Sequence, residues 1–210
     1  MWNAVSDKDK NDSDFTGFLV QTDYQAKQTG FIQPYADSPM DHEQVGEEVY
    51  ISMVNKAEKY CWFMTPYLII TDEMSHALCL AAKRGVDVRI ITPGIPDKKM
   101  IYNITRSFYH GLVKHGVRIY EWTPGFCHAK ISVADDCMAT CGTINLDYRS
   151  LYHHFENGCF MADCQAVLDI RNDLAATMDE CREVTEQYST GRSAYLRLGQ
   201  LFMRLFAGLL

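Results

Sequence analysis

The chain has 210 residues, 47% of them hydrophobic and 12% aromatic, which is enough to pack one domain with appendages and too apolar for global disorder. A net charge of −7 argues against a general nucleic-acid binder. The charge is uneven: residues 1–58 hold eleven acids and four bases, whereas residues 83–149 hold ten bases and six acids, so an anionic substrate is expected in the second region.

No secretory signal opens the chain, where residues 7–14 are polar and charged, and no run of about 18 apolar residues predicts a spanning helix. The eight cysteines fall mostly in apolar runs and form no zinc-type pair of Cys-x-x-Cys motifs. Free, buried thiols in a reducing compartment are the expectation.

Residues 1–29 are polar and predict a partly disordered linker or tail. A domain is expected over 30–190. Phe31 to Tyr35 predicts a first strand, ended by Asp37-Ser38-Pro39. Val45, Val49, Met53, Val54 and Ala57 keep a helical stripe between Asp41 and Lys59. Tyr60 to Met64 is a continuous apolar run, as in a strand covered on both faces. Thr71 or Asp72 can cap a helix that Gly85 closes. Val86 to Ile91 reads as strand, Lys98 to Lys114 as helix and Val117 to Tyr120 as strand again. This order implies βαβ units in an α/β domain with a mixed, mainly parallel sheet flanked by helices. Cys137 to Cys141 is the expected hairpin partner of the next strand, across a turn at Asp135-Asp136. Residues 145–150 read as a site loop or helical turn, Glu156 to Met161 as the last strand and Asp163 to Gln187 as one long helix.

The chemistry concentrates in Cys127 to Asp135, Gly142-Thr143-Ile144-Asn145 and Glu156. On a strand, His128 and Lys130 would project together with Ser132 beside them, while Ile131 and Val133 enter the core. An imidazole can be nucleophile or proton carrier near neutral pH, and a neighbouring ammonium offsets charge on the non-bridging oxygens of an anionic ester. Gly142-Thr143 reads as a tight turn, Asn145 adds an amide donor, and Glu156 is a candidate to hold the other ring nitrogen of His128.

His-x-Lys, then Asp after four intervening residues, then Gly-Thr-x-Asn after six more, resembles the signature of the phospholipase D superfamily. Further stretches resemble the C-terminal half of the bacterial cardiolipin synthase family: Thr65-Pro66-Tyr67-Leu68, Ala81 to Arg89, Ile91 to Lys99, Gly142 to Ser150 and His154 to Gly158. The resemblance implies a phospholipase D-like fold and a phosphatidyltransferase. One phosphatidylglycerol would form a phosphatidyl-histidine, and a second would take up the group to give cardiolipin. It implies no metal or other cofactor. It casts His128 as nucleophile or general acid, Lys130 and Asn145 as ligands of phosphate oxygens, Thr143 as support for the phosphate pocket and Glu156 as the group orienting His128. Asp135 belongs to the motif with a structural part to play. Tyr67, Arg106, Asp147 and Arg149 are candidates to line a head-group pocket, although Arg149 could equally form a structural ion pair. Of His153 and His154, adjacent in sequence, at most one can point inward.

Cardiolipin synthases of this type carry two such motifs; this chain has one. Three explanations stay open: pairing with a second copy, a missing N-terminal half, or a relic without activity. A phospholipase or nuclease of the superfamily is the competing enzymatic reading, and a lipid-binding fragment the non-enzymatic one. Residues 192–210 place Tyr195, Leu198, Phe202, Leu205, Phe206 and Leu209 on one helical stripe and Arg197, Gln200 and Arg204 on the other. They predict an amphipathic helix lying on an anionic membrane surface. The expected partners are therefore phosphatidylglycerol, that surface and a second motif, with no nucleic acid. The resemblance places the protein peripherally on the cytoplasmic side of the bacterial cell membrane.

Overall fold

The structure, a computed structural model, describes residues 29–189 together with 16–18 and 25. Most of the expected N-terminal tail and all of the expected amphipathic helix lie outside the described residues. In chain order the elements are β1 (Phe31–Asp37), α1 (Val45–Lys56), β2 (Tyr60–Met64), β3 (Leu68–Ile69), α2 (Asp72–Lys83), β4 (Asp87–Pro93), α3 (Lys99–Val113), β5 (Arg118–Trp122), β6 (Ile131–Ala134), β7 (Met138–Gly142), β8 (Leu146–Asp147), α4 (Tyr148–Tyr152), β9 (Glu156–Ala162), α5 (Gln165–Asp179), β10 (Cys181–Glu183) and α6 (Thr185–Ser189).

Eight strands form one mixed sheet in the order β1-β9-β7-β6-β2-β4-β5-β10, and β3 pairs with β8 in a separate parallel ribbon. The expected α/β class with flanking helices holds, but the sheet is not mainly parallel. Parallel pairing in it is confined to β2, β4 and β5, and its other pairs are antiparallel. The reason is connectivity. Helical crossovers between neighbouring strands occur only from β2 through β4 to β5, whereas β6 and β7 are joined by a tight hairpin that forces antiparallel order. That hairpin turns on Asp135 (φ 52°) and Asp136 (φ 60°), with Cys137 N bonded to Ala134 O at 3.1 Å. Two consecutive left-handed residues match the strand twist, and Asp tolerates that conformation. Pro34, which cannot donate a ladder bond, sits in β1 at the sheet edge.

Two apolar layers cover the sheet. Helices α1, α2, α3 and α6 bury Met53, Phe63, Leu78, Ile90 and Tyr109 on one face, and α5 buries Ile91, Val133, Leu174 and Met178 on the other. Strand β2 accordingly sends Cys61 and Phe63 to the first layer and Tyr60 and Trp62 to the second. Ser132 does not lie beside His128: it is fully buried, with its Oγ 2.6 Å from Thr140 Oγ1 and in contact with Met53 Sδ. The pleat turns position 132 under α1, and the neighbouring hydroxyl satisfies it.

The single long helix expected over 163–187 is two helices separated by β10. Met178 packs in the α5 layer and Val184 in the opposite one, so the chain must cross the sheet edge between them. The six-residue gap between those positions, longer than a helical repeat, carried that signal. Strand β10 covers the β5 edge, where Arg182 reaches the fully buried Glu121 at 2.6 Å. All eight cysteines are free thiols. No helix among the described residues is long and apolar enough to cross a membrane.

Candidate active site

The site forms where β6 begins, beside the β3–β8 ribbon. Residues 127–130 precede β6 outside any strand, rather than lying within it as their alternation suggested. The expected alternation does not hold there: Cys127 and Lys130 are buried, whereas His128 and Ala129 are exposed, so His128 and Lys130 do not share an exposed face. Lys130 folds back on the histidine. Its Nζ donates to His128 O at 2.7 Å and stands 3.0 Å from Nδ1 and 3.3 Å from Nε2. Burial holds the Lys130 ammonium below its ordinary pKa, while the carboxylates of Glu156 and Asp147 oppose that shift. Burial pushes the adjacent Cys127 thiol up to about 12, so it is a poor nucleophile at neutral pH. The His128 ring is flanked by Phe126, centroids 5.8 Å apart, and edge-on by Tyr67, 6.4 Å apart.

The Gly-Thr-x-Asn stretch is tied to the same place by backbone chemistry. Gly142 N bonds to Lys130 O at 3.2 Å, and Thr143 N to Asn157 O at 2.9 Å. A Cβ on Gly142 would stand 2.7 Å from Gly158 Cα, so only glycine lets β7 and β9 approach so closely. The Thr143 hydroxyl donates to Glu156 and accepts from Asn157 N at 3.0 Å. Thr65 Oγ1 accepts from Leu146 N at 3.2 Å and donates to Tyr67 O at 2.9 Å, joining the Thr65-Pro66-Tyr67 stretch to β8. Asn145 has a buried Oδ1 with no hydrogen-bond partner, and its side chain is bonded to Asp147. Asp147 caps α4 by accepting from Ser150 N at 2.7 Å. Its carboxyl is raised above the usual range, chiefly by burial.

Not every expected residue is placed as expected. No hydrogen bond joins Glu156 to His128 among the described residues. Glu156 instead takes Thr143, and His154 Nδ1 at 3.3 Å, because the β7–β9 pairing holds it opposite the Gly142-Thr143 turn. Asp135 lies at the far end of β6 from His128. It accepts from the backbone N–H groups of Glu58, Lys59 and Tyr60 at 2.7, 2.9 and 2.8 Å and so anchors the α1–β2 junction, a structural part like the one the motif implies. Arg106 does not line the head-group cavity. Its guanidinium is 2.5 Å from Glu121 Oε1 and stacks on Tyr102, because Glu121 is completely buried and requires a cation.

Tyr67, Asn145, Asp147 and Arg149 do converge, around a cavity of about 190 Å³ that Lys98 and His154 also line. The Tyr67 hydroxyl donates to Asp97 at 2.6 Å. Arg149 forms no salt bridge among the described residues; its Nε donates to His154 Nε2 at 3.0 Å. His154 is thus the inward member of the His153-His154 pair. Sequence reasoning left Lys98 and Phe126 out of the site and did not choose between His153 and His154. The signal for His154 was its place two residues before Glu156 on the approach to β9. Phe126 and Lys98 sit in loops with no period to read. Among the described residues no group of three or more His, Cys, Asp or Glu side chains is arranged to hold a metal ion.

A family model described as the phospholipase D-like domain of cardiolipin synthase matches residues 50–178. An uncharacterized Streptococcus mutans protein is 46% identical over the whole chain, which spans 45% of that protein. A cardiolipin synthase of Halalkalibacterium halodurans is 32% identical over 88% of this chain and 37% of its own length. The chain therefore spans less than half the length of these relatives. Among solved structures, Nuc, a phospholipase D family member from Salmonella typhimurium, superposes with a TM-score of 0.63 at 15% identity, over 74% of this chain and 98% of its own. That likeness establishes the fold, and the extent of the family match establishes membership: the chain belongs to the cardiolipin synthase family of phospholipase D-like domains.

Proposed function

We propose that this domain is one catalytic half of a phosphatidyltransferase that converts two phosphatidylglycerol molecules to cardiolipin and glycerol. The observation that carries the reading is the buried Lys130 ammonium 3.0 Å from the ring of the exposed His128, with Tyr67, which lines the neighbouring cavity together with Asn145, edge-on to the same ring. In the first step an imidazole nitrogen of His128 attacks phosphorus, the bond to glycerol oxygen breaks, and glycerol leaves with a proton. In the second, the hydroxyl of another phosphatidylglycerol attacks the same phosphorus, its proton is taken up by a base, and the phosphorus–nitrogen bond breaks. Lys130 stabilises the equatorial oxygens in both steps.

Attacking and leaving groups stand on opposite sides of phosphorus, so His128 cannot also protonate glycerol. A second imidazole, from another copy of this chain or from a further domain, completes the site. Exposed Ile95, Met100 and Phe126 belong to segments next to the site: the loop after β4, the start of α3 and the approach to His128. Of these, Phe126 stands against the His128 ring, 5.8 Å between centroids, an exposed apolar contact consistent with a domain that works on a lipid surface. Residues 192–210, as an interfacial helix, would add to that attachment. The exposure of His128 supports a second reading, in which water takes the place of the acceptor and phosphatidic acid is released.

The test is turnover of labelled phosphatidylglycerol in vesicles, run with wild type and His128→Ala. Cardiolipin and free glycerol that vanish in the variant support the transferase. Phosphatidic acid as the sole lipid product supports the phospholipase. No lipid product at any protein concentration rejects both.

A further inference from the structure

The cavity beside Tyr67 contains more cationic character than one reacting phosphate requires. Lys130 already serves that phosphate. Lys98 and Arg149, which line the cavity, are separate charges. Arg149 uses only its Nε, in the bond to His154 Nε2, and its two terminal nitrogens make no hydrogen bond or ion pair among the described residues. Lys98 Nζ is likewise unpaired among them. The carboxylate lining the cavity, Asp147, is occupied by Ser150 N and Asn145. A second signal points to a ligand hydroxyl. Asn145 lines the same space, and its buried Oδ1 lacks a donor, a vacancy that a hydroxyl group fills.

His154 sets this arrangement through its tautomer. An arginine Nε–H can only donate, so His154 Nε2 must accept and the ring proton sits on Nδ1, where it donates to Glu156 at 3.3 Å. The ring thereby clamps Arg149 along its Nε edge and leaves the planar fork free. A free guanidinium fork matches a phosphodiester with two parallel bonds.

We propose that this cavity holds the second phosphate of the acceptor, the phosphodiester carried by the same glycerol whose hydroxyl attacks His128-bound phosphorus. In this assignment Asn145 accepts from a glycerol hydroxyl, and Arg149 and Lys98 bind the phosphate beyond it. His154 is a positioning residue. Tyr67 is the shared wall between the reacting and spectator phosphates, which are three carbons apart along the glycerol bridge. The site then selects a phosphate-bearing alcohol over water or free glycerol. The inference rests on the transferase reading above and names its acceptor class.

The test measures binding without turnover, by calorimetry on full-length protein carrying His128→Ala. Glycerophosphoglycerol, glycerol and inorganic phosphate are the probes. Glycerophosphoglycerol should bind at least about tenfold more tightly than glycerol, and Arg149→Gln or Lys98→Gln should each weaken it about tenfold. His154→Ala should weaken it as well, and His154→Gln, which keeps an acceptor for Arg149, should restore it. Arg149 and Lys98 are exposed, so these variants should fold; unchanged circular dichroism would verify it. Absent binding, affinity indifferent to both charge removals, or inorganic phosphate matching glycerophosphoglycerol in every variant would each overturn the proposal. Failure of the transferase reading would look different: intact binding here, with no lipid product from wild type.

Discussion

Two clusters of charge in this domain have opposite fates. At Arg106, Glu121 and Arg182, two guanidiniums close on one buried carboxylate at 2.5 and 2.6 Å, and every charge has a partner. At the site, Lys98 and Arg149 line an open cavity without a salt bridge among the described residues, and Lys130, 9% exposed, contacts His128 and likewise has no salt bridge among them. Burying a cation without an ion pair is costly, so a fold that keeps Lys130 buried beside His128 must gain from it elsewhere. The same residue types are structural in one cluster and available to a ligand in the other. Only the partner list tells them apart.

The largest expected effect that separates the clusters is Lys130→Met. It should reduce lipid turnover about a thousandfold or more, as removal of a preorganised charge does elsewhere, while thermal stability stays level or rises because a desolvated ammonium has gone. Glu121→Gln should do the reverse. It strips the negative charge from between two arginines and should cost about 2 kcal/mol, discounted for the partial exposure of both cations. Chemical denaturation would read the loss, with turnover per folded molecule retained. Asp135→Ala, which leaves three backbone N–H groups without their acceptor, should cost about 1–2 kcal/mol by the same measurement.

A smaller effect should show in the pH profile. The Lys130 ammonium is held below its ordinary value of 10.5, mainly by burial. It therefore loses its proton at a lower pH than a free lysine, and turnover should decline on the alkaline side before 10.5 is reached. A limb that tracks an unperturbed lysine would contradict the burial argument.

The contrast between the clusters also marks how far the sequence could be read. The βαβ segment was legible because hydrophobic period, capping Thr71 and closing Gly85 agree with one another. The Asp135-Asp136 hairpin was legible from its turn chemistry. The catalytic pair was legible as motif spacing, although Lys130 reaches His128 by folding back from a buried position and not by sharing its exposed side. Arg106 and Glu156 were misassigned for one reason: the resemblance assigns a role to a position, whereas the partner of each side chain is fixed by tertiary pairing. Glu121 draws Arg106 toward the β5 edge, and the β7–β9 ladder sets Glu156 against Thr143. Strand β10 was missed because three residues are too short for a period, and only the change of apolar layer between Met178 and Val184 exposes the break.

The central claim is that His128 carries a phosphatidyl group during turnover. Acid-quenched wild-type protein mixed with phosphatidylglycerol, digested and analysed by mass spectrometry, tests it most directly. A phosphatidyl adduct on the peptide containing His128, formed faster than lipid product and absent from His128→Ala, is the predicted result. Lipid turnover with an unmodified His128 peptide at every quench time, or an adduct on another residue, would contradict it.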